Sequence, residues 1–341
     1  MGGKIGVMNN LLPKALFVGN GINRVSRNAI SWGELLDKLS KKFEIDIDLS
    51  NELKPFPLAF EEMIHHAWGE DSFEQKLRNL KVNISELLLK ASNEFDFSFH
   101  QQLMQSGINE IITTNYDYNL ELSVRPDFLQ EKKELAINRQ ESKLSLYRGY
   151  NLDGVKVRHI HGELLHNRAI TDTKTNYPQE SIMIGFEHYS DYYHKIQTSI
   201  KGPKSKYKEG ILQRITSEKE SKIWMDLFFT HNLYFLGFSL DFSETHLWWL
   251  LMEREEVIRN YAFFGLPQNT ITFLFPEMPI TPAQYQSTDE AQFNELYRKK
   301  LVMQKNQAIT DLIKLFKIEI LPIKCVSYSE FYEKAILFIK Q

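Results

Sequence analysis

The chain has 341 residues, which is enough for one large domain or two average ones with a sizeable core. Hydrophobic residues make up 43% and charged residues 25%, which is ordinary globular usage and excludes a fibrous or wholly disordered chain. The 41 basic and 44 acidic side chains give a formal net charge of -3. The basic excess of a general nucleic-acid binder is missing, so we expect no direct nucleic-acid binding.

The sequence contains no recognisable targeting or membrane segment. The residues before Lys14 lack a long apolar run after a basic start, and no stretch approaches roughly 18 uncharged apolar residues. We therefore expect a cytoplasmic protein without a membrane partner. Cys325 is the one cysteine of the sequence, so neither an intrachain disulfide nor a cysteine-rich zinc ribbon can form.

The first predicted elements are a strand over residues 15–18, a glycine turn and a helix that starts at Ser31. From about residue 57 to residue 105 most segments have the apolar spacing of helices. This pattern predicts a helical insertion over about 40–105, between the first and second strands.

Further short apolar runs predict the remaining strands. A turn signal at 151–154 precedes one of these runs, and the segment at about 200–212 mixes glycine, proline and lysine, which is typical of an exposed loop. The predicted strands lie at 108–113, 156–160, 233–237, 270–275 and 318–321. Strands that alternate with helices predict an α/β fold with a doubly wound, Rossmann-like parallel sheet and an inserted helical module, in a single domain over residues 1–341.

Two glycines follow the first strand directly. Gly19 and Gly21 have no Cβ atoms, so backbone N–H groups there could approach a pyrophosphate. Arg24 occupies the place of a third glycine, and a glycine pair at a strand end can also be a simple turn.

Polar side chains follow the second strand at residues 113–117. Thr114, Asn115 and Asp117 favour helix caps, so Asp117 could be a cap for the segment after it. The Asn115 amide can both donate to and accept from a ribose hydroxyl or a water, and the ligand crevice of such sheets lies at the strand ends.

Two histidines end the next strand. His161 precedes Gly162 and has an ordinary pKa that suits a general base at neutral pH. Because His159 lies two residues away, both side chains would face the same side of a strand. An alternative is a metal site, in which the two histidines are joined by Glu163, His166 or His188.

A fourth apolar run, residues 234–244, ends in glycine, hydroxyl and carboxylate residues. Gly237 and Ser239 could bound the far side of a nucleotide, and Asp241 or Glu244 could reach ribose hydroxyls. Which of the two carboxylates lines the pocket is open at this point.

These motifs, in this order, resemble those of the sirtuin-like fold, and more closely those of its bacterial branch of NAD-degrading effectors in anti-phage defence. The resemblance covers about residues 15–250. The segments that carry it are Gly19–Asn23, Trp32–Leu36, Thr114–Asp117, His159–Gly162 and Gly237–Ser239.

The resemblance implies a role for each site residue. Gly19 and Gly21 would cradle the NAD phosphates, Asn115 would hold the ribose or the attacking water, and His161 would be the catalytic base. Asp117 would fix the ribose side, as the third member of the catalytic set. The NAD-binding set implied in this way is Gly19, Asn20, Gly21, Asn23, Thr114, Gly237 and Ser239. Asn20 and Asn23 depart from the family pattern, which has a small residue and often a serine at these places.

Deacylating members of the fold also carry a zinc module held by four cysteines. With one cysteine, this chain cannot build that module, so we expect no zinc and no other metal. The sequence therefore favours hydrolysis of NAD to nicotinamide and ADP-ribose over deacylation, with NAD as the substrate. By the resemblance, the protein would be an abortive-infection effector, held inactive until a trigger acts.

Other functions and the partners stay open. A non-catalytic module that binds NAD or ADP-ribose is the main alternative, since Trp248, Trp249, Phe263 and Phe264 could form an interface. A protein deacylase or a metal-dependent hydrolase is favoured less. The resemblance implies a homo-oligomer and, as a trigger, a partner ATPase or a phage-derived activator.

Overall fold

A computed structural model gives the fold. It describes residues 12–26, 28–47, 54–67, 71–137, 144–164, 181–202, 210–216, 223–261, 268–278 and 306–341. Within these ranges, no helix is both long enough and apolar enough to cross a membrane. Phe263, Phe264, His166 and most of the loop expected at 200–212 lie outside the described residues.

The described strands form one seven-stranded sheet with the order β3-β4-β2-β1-β5-β6-β7. All neighbours pair in parallel except β3, which pairs antiparallel with β4. The predicted α/β fold with a mostly parallel, Rossmann-like sheet is therefore confirmed. The strands are β1 (Lys14–Val18), β2 (Glu110–Thr113), β3 (Tyr150–Leu152), β4 (Val155–His159), β5 (Asn232–Leu236), β6 (Ile271–Glu277) and β7 (Glu319–Lys324).

Helices connect the strands and cover both faces of the sheet. They are α1 (Trp32–Lys42), α2 (Phe56–His66), α3 (Phe73–Ser92), α4 (Ser98–Met104), α5 (Asn119–Leu122), α6 (Phe128–Leu135), α7 (Phe186–Lys201), α8 (Ile211–Thr216), α9 (Leu227–Thr230), α10 (Thr245–Tyr261), α11 (306–315) and α12 (Tyr328–Lys340). Ser31 caps α1 as predicted: its hydroxyl accepts from Glu34 N, and the Glu34 carboxylate accepts from Ser31 N. Helices α2, α3 and α4 lie in the range expected for the inserted module.

The sheet separates two apolar cores. Alternate residues of β1 supply both, because successive strand side chains point to opposite faces. Leu16 and Val18 pack with α1 to α4 and α12, whereas Ala15 and Phe17 pack with α7 to α10. A strand buried on both faces has the continuous apolar sequence that β1 shows.

The strand order reverses direction between β1 and β5. The chain runs from β1 to β2 and β4 on one side, and then returns to β5, β6 and β7 on the other. In open α/β sheets, ligands bind at such a switch point, outside the carboxyl ends of the strands. The loops that follow β1 and β5 therefore mark the expected crevice.

These two loops approach each other closely, and glycines permit the approach. Gly19 N donates to Leu236 O at 3.0 Å, and Gly21 N donates to Gly237 O at 2.8 Å. A Cβ on Gly19 would lie 2.5 Å from Gly237 O, and one on Gly21 would lie 2.7 Å from the same atom. Gly237 itself has a φ of 64°, in the region that favours glycine.

We predict that Gly19→Ala destabilises the protein by about 1–3 kcal/mol, because the added methyl would overlap fixed backbone atoms. Gly33→Ala in α1 is the matched control, since a Cβ there meets nothing within 4 Å. The control should be neutral or stabilising by about 0.5–1 kcal/mol, as expected for glycine in a helix. Urea unfolding of both variants measures the difference, and equal effects would contradict the steric account.

Candidate active site

A cleft of about 480 Å³ lies at the switch point. Its walls come from the loops after β1, β2, β4 and β5, with α1 and α7 at its rim. Of the residues predicted from the sequence, those that line it are Asn20, Gly21, Thr114, His161, Gly237, Ser239, Asp241 and Glu244. Both carboxylates that the sequence left open therefore face the cleft.

Four predicted residues lie behind this lining. Gly19 is buried between the two loops, and Asn23, Asn115 and Asp117 are at most 9% exposed. They are close to the cleft in the chain and in space, but they do not form its wall. Their expected contacts with NAD stay predictions.

Asn115 lies directly under the loop after β1. Its Nδ2 is 3.5 Å from Gly19 O, which is a long hydrogen bond, and its backbone N donates to Thr113 Oγ1. Among the described residues its Oδ1 has no hydrogen-bond partner, although the side chain is buried. An unpaired buried amide oxygen is costly. Asn115 is thus available to hold a further group if the loop moves.

His159 holds the backbone of Asn115. Its Nδ1 donates to Asn115 O at 3.0 Å, and its Nε2 faces the Glu121 carboxylate at 2.6 Å. Both ring nitrogens face acceptors, which requires the doubly protonated ring. Burial lowers the pKa of His159 and Glu121 raises it, and the net shift is upward. Because Glu121 is fully buried, this ion pair is part of the frame under the site.

The prediction that His159 and His161 face the same side is wrong. Strand β4 ends at His159, so the two-residue alternation stops before His161. His159 packs among Tyr118 and Tyr150, whereas His161 packs against Tyr189 and His246. The two histidines consequently cannot share a metal ion.

The other ligands considered for that metal site are also elsewhere. Glu163 is buried against Lys132 Nζ at 3.0 Å and Tyr118 Oη at 2.9 Å. Burial raises its pKa, but the charges of Lys132 and Arg148 outweigh that effect and lower the pKa to about 2. His188 Nε2 lies 3.2 Å from Lys81 Nζ. Neither side chain reaches His161.

Asp117 and Asn23 belong to a buried polar network. Asn23 Nδ2 donates to Asp117 Oδ2 at 2.8 Å and to Asn20 Oδ1 at 2.7 Å. His100 Nε2 donates to Asn23 Oδ1 at 2.8 Å, and Asp117 Oδ1 accepts from Asn119 N. The N-cap of α5 is Tyr118, and no side chain caps that helix, so Asp117 is not the helix cap that the sequence suggested. It closes a local turn through Asn119 N and fixes the loop after β1 through Asn23. The network positions the loop from below.

His100 gives this network a pH dependence. Burial lowers its pKa to about 3, and Asp96 opposes the shift only weakly. Between the ordinary value near 6.5 and about 3, the unfolded chain binds a proton that the folded chain does not, so stability falls as the pH falls. At pH 5 this loss is about 2 kcal/mol.

We predict that His100→Gln, which keeps a donor toward Asn23, reduces the loss of stability between pH 7 and pH 5. Urea unfolding at the two pH values measures it, with His194→Gln as the control because His194 is exposed on α7. If wild type and His100→Gln lose the same stability on acidification, the account is refuted.

His161 joins two side chains that follow β5. Its Nε2 lies 3.0 Å from His246 Nε2 and 3.4 Å from Glu244 Oε2. Burial and the neighbouring His246 lower the pKa of His161, and burial lowers that of His246 to about 3. Burial and Asp241 raise the pKa of Glu244 to about 8. The three donor atoms lie within 4.8 Å of one another, so this group could hold a metal ion.

A second cavity of about 420 Å³ adjoins the cleft. It lies between β6, α11 and α12, and its wall is mainly apolar. Its apolar lining includes Phe273, Phe275, Ile309, Ile313, Tyr328 and Phe331. The two cavities share Gly21, Arg24, Gly237, Phe238 and Ser239. Together they offer two compartments, of which the cleft is the more polar, and Arg24 is one of the residues that line both.

Sequence reasoning missed three residues of this region. The sequence pattern marks Arg24 only as the residue at the place of a third glycine, although Arg24 lines both cavities. Tyr189 comes from α7, and His246 from the start of α10. His246 could have been found by examining every polar residue after β5, because it is two residues from Glu244. No local signal marks Tyr189.

Comparison with known proteins adds no family assignment. The chain matches no protein-family model, and no curated protein is similar enough to count as a match. The fold and the site must therefore support any functional conclusion.

Proposed function

We propose that this protein is an NAD⁺ glycohydrolase, which cleaves the bond between nicotinamide and ribose and releases nicotinamide and ADP-ribose. The observation that carries the proposal is the pair of adjoining cavities at the switch point, with Arg24 where they meet. A dinucleotide has the same division, because two nucleoside halves flank a pyrophosphate.

The two compartments fit the two halves of NAD⁺ in chemical character. The apolar cavity suits adenine, and Ser239, which lines both cavities, would contact the adenosine half. The Arg24 guanidinium is exposed at the junction, where a planar cation can bind phosphate oxygens in two places. The nicotinamide ribose would then lie in the polar cleft beside His161.

The reaction needs a positioned water and a proton acceptor. In the proposed step, the water oxygen forms a bond to C1′ of the ribose while the C1′–N bond breaks. The bonding electrons go to the nicotinamide nitrogen, and the water proton goes to His161 Nε2. Asn115 orients the water, which requires its amide to turn from the underside of the loop toward the cleft. Positioning and exclusion of bulk water supply much of the rate enhancement in such sites.

The proposed biological setting is abortive infection, and it rests on the resemblance to anti-phage effectors. An NAD⁺ hydrolase that consumes a central cofactor needs control. We therefore include a homo-oligomeric active form, triggered by a partner ATPase or a phage-derived component, in the proposal.

A non-catalytic module that binds NAD⁺ or ADP-ribose is the second candidate. The burial of Asn115 behind the lining favours it, because the amide does not reach the cleft in this conformation. Turnover separates the two candidates.

We predict that purified protein releases nicotinamide from NAD⁺ and that Asn115→Ala or His161→Ala lowers the turnover number by about 10²-fold or more. Chromatography of the products measures release, and calorimetry measures NAD⁺ binding for each variant. Asn83→Ala and His194→Ala are the matched controls, since neither side chain lines the cleft.

The results distinguish the candidates as follows. Loss of release with retained binding in the two site variants supports the hydrolase. Full turnover in Asn115→Ala or His161→Ala refutes the assigned roles. Binding by wild type without release, in the presence and absence of an infected-cell extract, favours the binding module.

Arg24 provides a test of the binding mode. We predict that Arg24→Ala weakens NAD⁺ binding by about tenfold, because a charge-assisted bond to phosphate is lost, while Arg24→Lys loses less. Binding of nicotinamide riboside, which has no phosphate, should be unchanged in both variants. Calorimetry with the two ligands measures this, and an equal loss for both ligands would exclude a phosphate contact.

A further inference from the structure

The cluster of His161, Glu244 and His246 has the composition and the geometry of a metal site. Two segments supply it: His161 follows β4, whereas Glu244 directly precedes α10 and His246 lies in its first turn. The separations are 3.0 Å between the two Nε2 atoms, 3.4 Å from His161 Nε2 to Glu244 Oε2, and 3.9 Å from His246 Nε2 to the same oxygen.

These three separations define a point that lies about 2.0 Å from every donor atom. Zinc binds imidazole nitrogen at about 2.0–2.1 Å and carboxylate oxygen at about 2.0–2.2 Å. An ion at that point would lie in the plane of the three donor atoms, at an ordinary bond length from each of them. His161 and Glu244 both line the cleft, so a fourth position would face it.

A hydrogen bond between the two imidazoles would also explain their 3.0 Å separation. It leaves two buried atoms without hydrogen-bond partners among the described residues, Glu244 Oε2 and His246 Nδ1. A cation would satisfy the carboxylate oxygen directly. Asp241 also lines the cleft, and its negative charge acts on Glu244.

The surroundings enclose the cluster. His246 is fully buried, and the rings of Tyr189 and Tyr192 lie 5.5 Å and 5.7 Å from its ring. Two imidazoles and one carboxylate are the donor set of many zinc sites with one open position. The absence of thiolates in this set distinguishes it from the cysteine module that the chain lacks.

We propose that His161, Glu244 and His246 bind a divalent transition metal of the zinc class at the wall of the cleft. A metal on His161 Nε2 occupies the lone pair that would accept a proton, so bound zinc inhibits NAD⁺ cleavage. The proposed metal binding does not depend on the proposed function, whereas the inhibition rests on it.

The test of binding uses the full chain and two probes. Calorimetry with Zn²⁺ should show one equivalent bound, and Co²⁺ should give the visible absorption of a low-coordinate site with imidazole ligands. We expect His246→Gln and Glu244→Gln each to weaken Zn²⁺ binding by tenfold or more, and His194→Gln to bind as wild type does. Circular dichroism and thermal unfolding show whether each variant is folded.

Two results would overturn the proposed metal site. One is that the wild type binds no Zn²⁺, and the other is that the wild type, His246→Gln and Glu244→Gln bind Zn²⁺ equally. If the variants do not fold, the Co²⁺ spectrum of the wild type decides, because an octahedral, water-like spectrum contradicts histidine ligation.

Nicotinamide release with added Zn²⁺, and after treatment with a chelator, tests the inhibition. Inhibition by Zn²⁺ that is relieved in Glu244→Gln supports it. Metal binding without any release, with or without chelator, leaves the metal site standing and refutes the proposed function for the isolated protein. Release that requires Zn²⁺ contradicts inhibition and favours a metal-dependent hydrolase.

Discussion

The contact between the loops after β1 and β5 is the constraint on which the rest of the site depends. Two backbone hydrogen bonds join these loops, and Gly19, Gly21 and Gly237 leave no room for a side chain between them. Because the contact lies at the point where the strand order reverses, it fixes the floor shared by the two cavities. The glycines therefore serve loop packing first, and the N–H groups of Gly19 and Gly21 already donate to backbone oxygens within the protein.

Buried polar groups support this contact from both sides. Asn23, Asp117 and His100 hold the first loop from below, and the His159–Glu121 pair holds the backbone of Asn115. Buried networks of this kind are stabilising only when nearly every member is paired. The described residues nevertheless leave several buried atoms without a hydrogen-bond partner, among them His100 Nδ1 and Glu121 Oε2 in these networks and Asn115 Oδ1 and Glu244 Oε2 beside the cleft. A buried polar atom without a partner calls for an explanation, such as a bound water or a functional role.

The fold could be predicted from the sequence because the central strands β1 and β2 are buried and have short apolar runs with polar residues after them. The outer strand β7 is only partly buried, and its apolar residues gave the weaker signal of a short run between helices. The three-residue strand β3 was missed, since its segment carries a turn signal that is indeed realised at Asp153 and Gly154. The residues at the strand ends were predictable because the ligand crevice of an open parallel sheet lies outside the carboxyl ends of its strands. The residues that these side chains contact could not be predicted. His246 contacts His161 although 85 positions separate them in the sequence, and His159 faces away from His161 because β4 ends at His159. Such contacts depend on tertiary packing and have no local signal.

The last described helix, α12, takes part in the floor of the site. The Tyr332 hydroxyl lies 2.8 Å from where a Cβ on Gly21 would be and 2.7 Å from where one on Gly237 would be. At the other end of β1, Lys14 donates to Ile339 O, so α12 contacts β1 or its loop at both ends of that strand. During synthesis on the ribosome, the floor is complete only after α12 has emerged and docked, so a nascent chain that stops at β6 lacks the finished cavity.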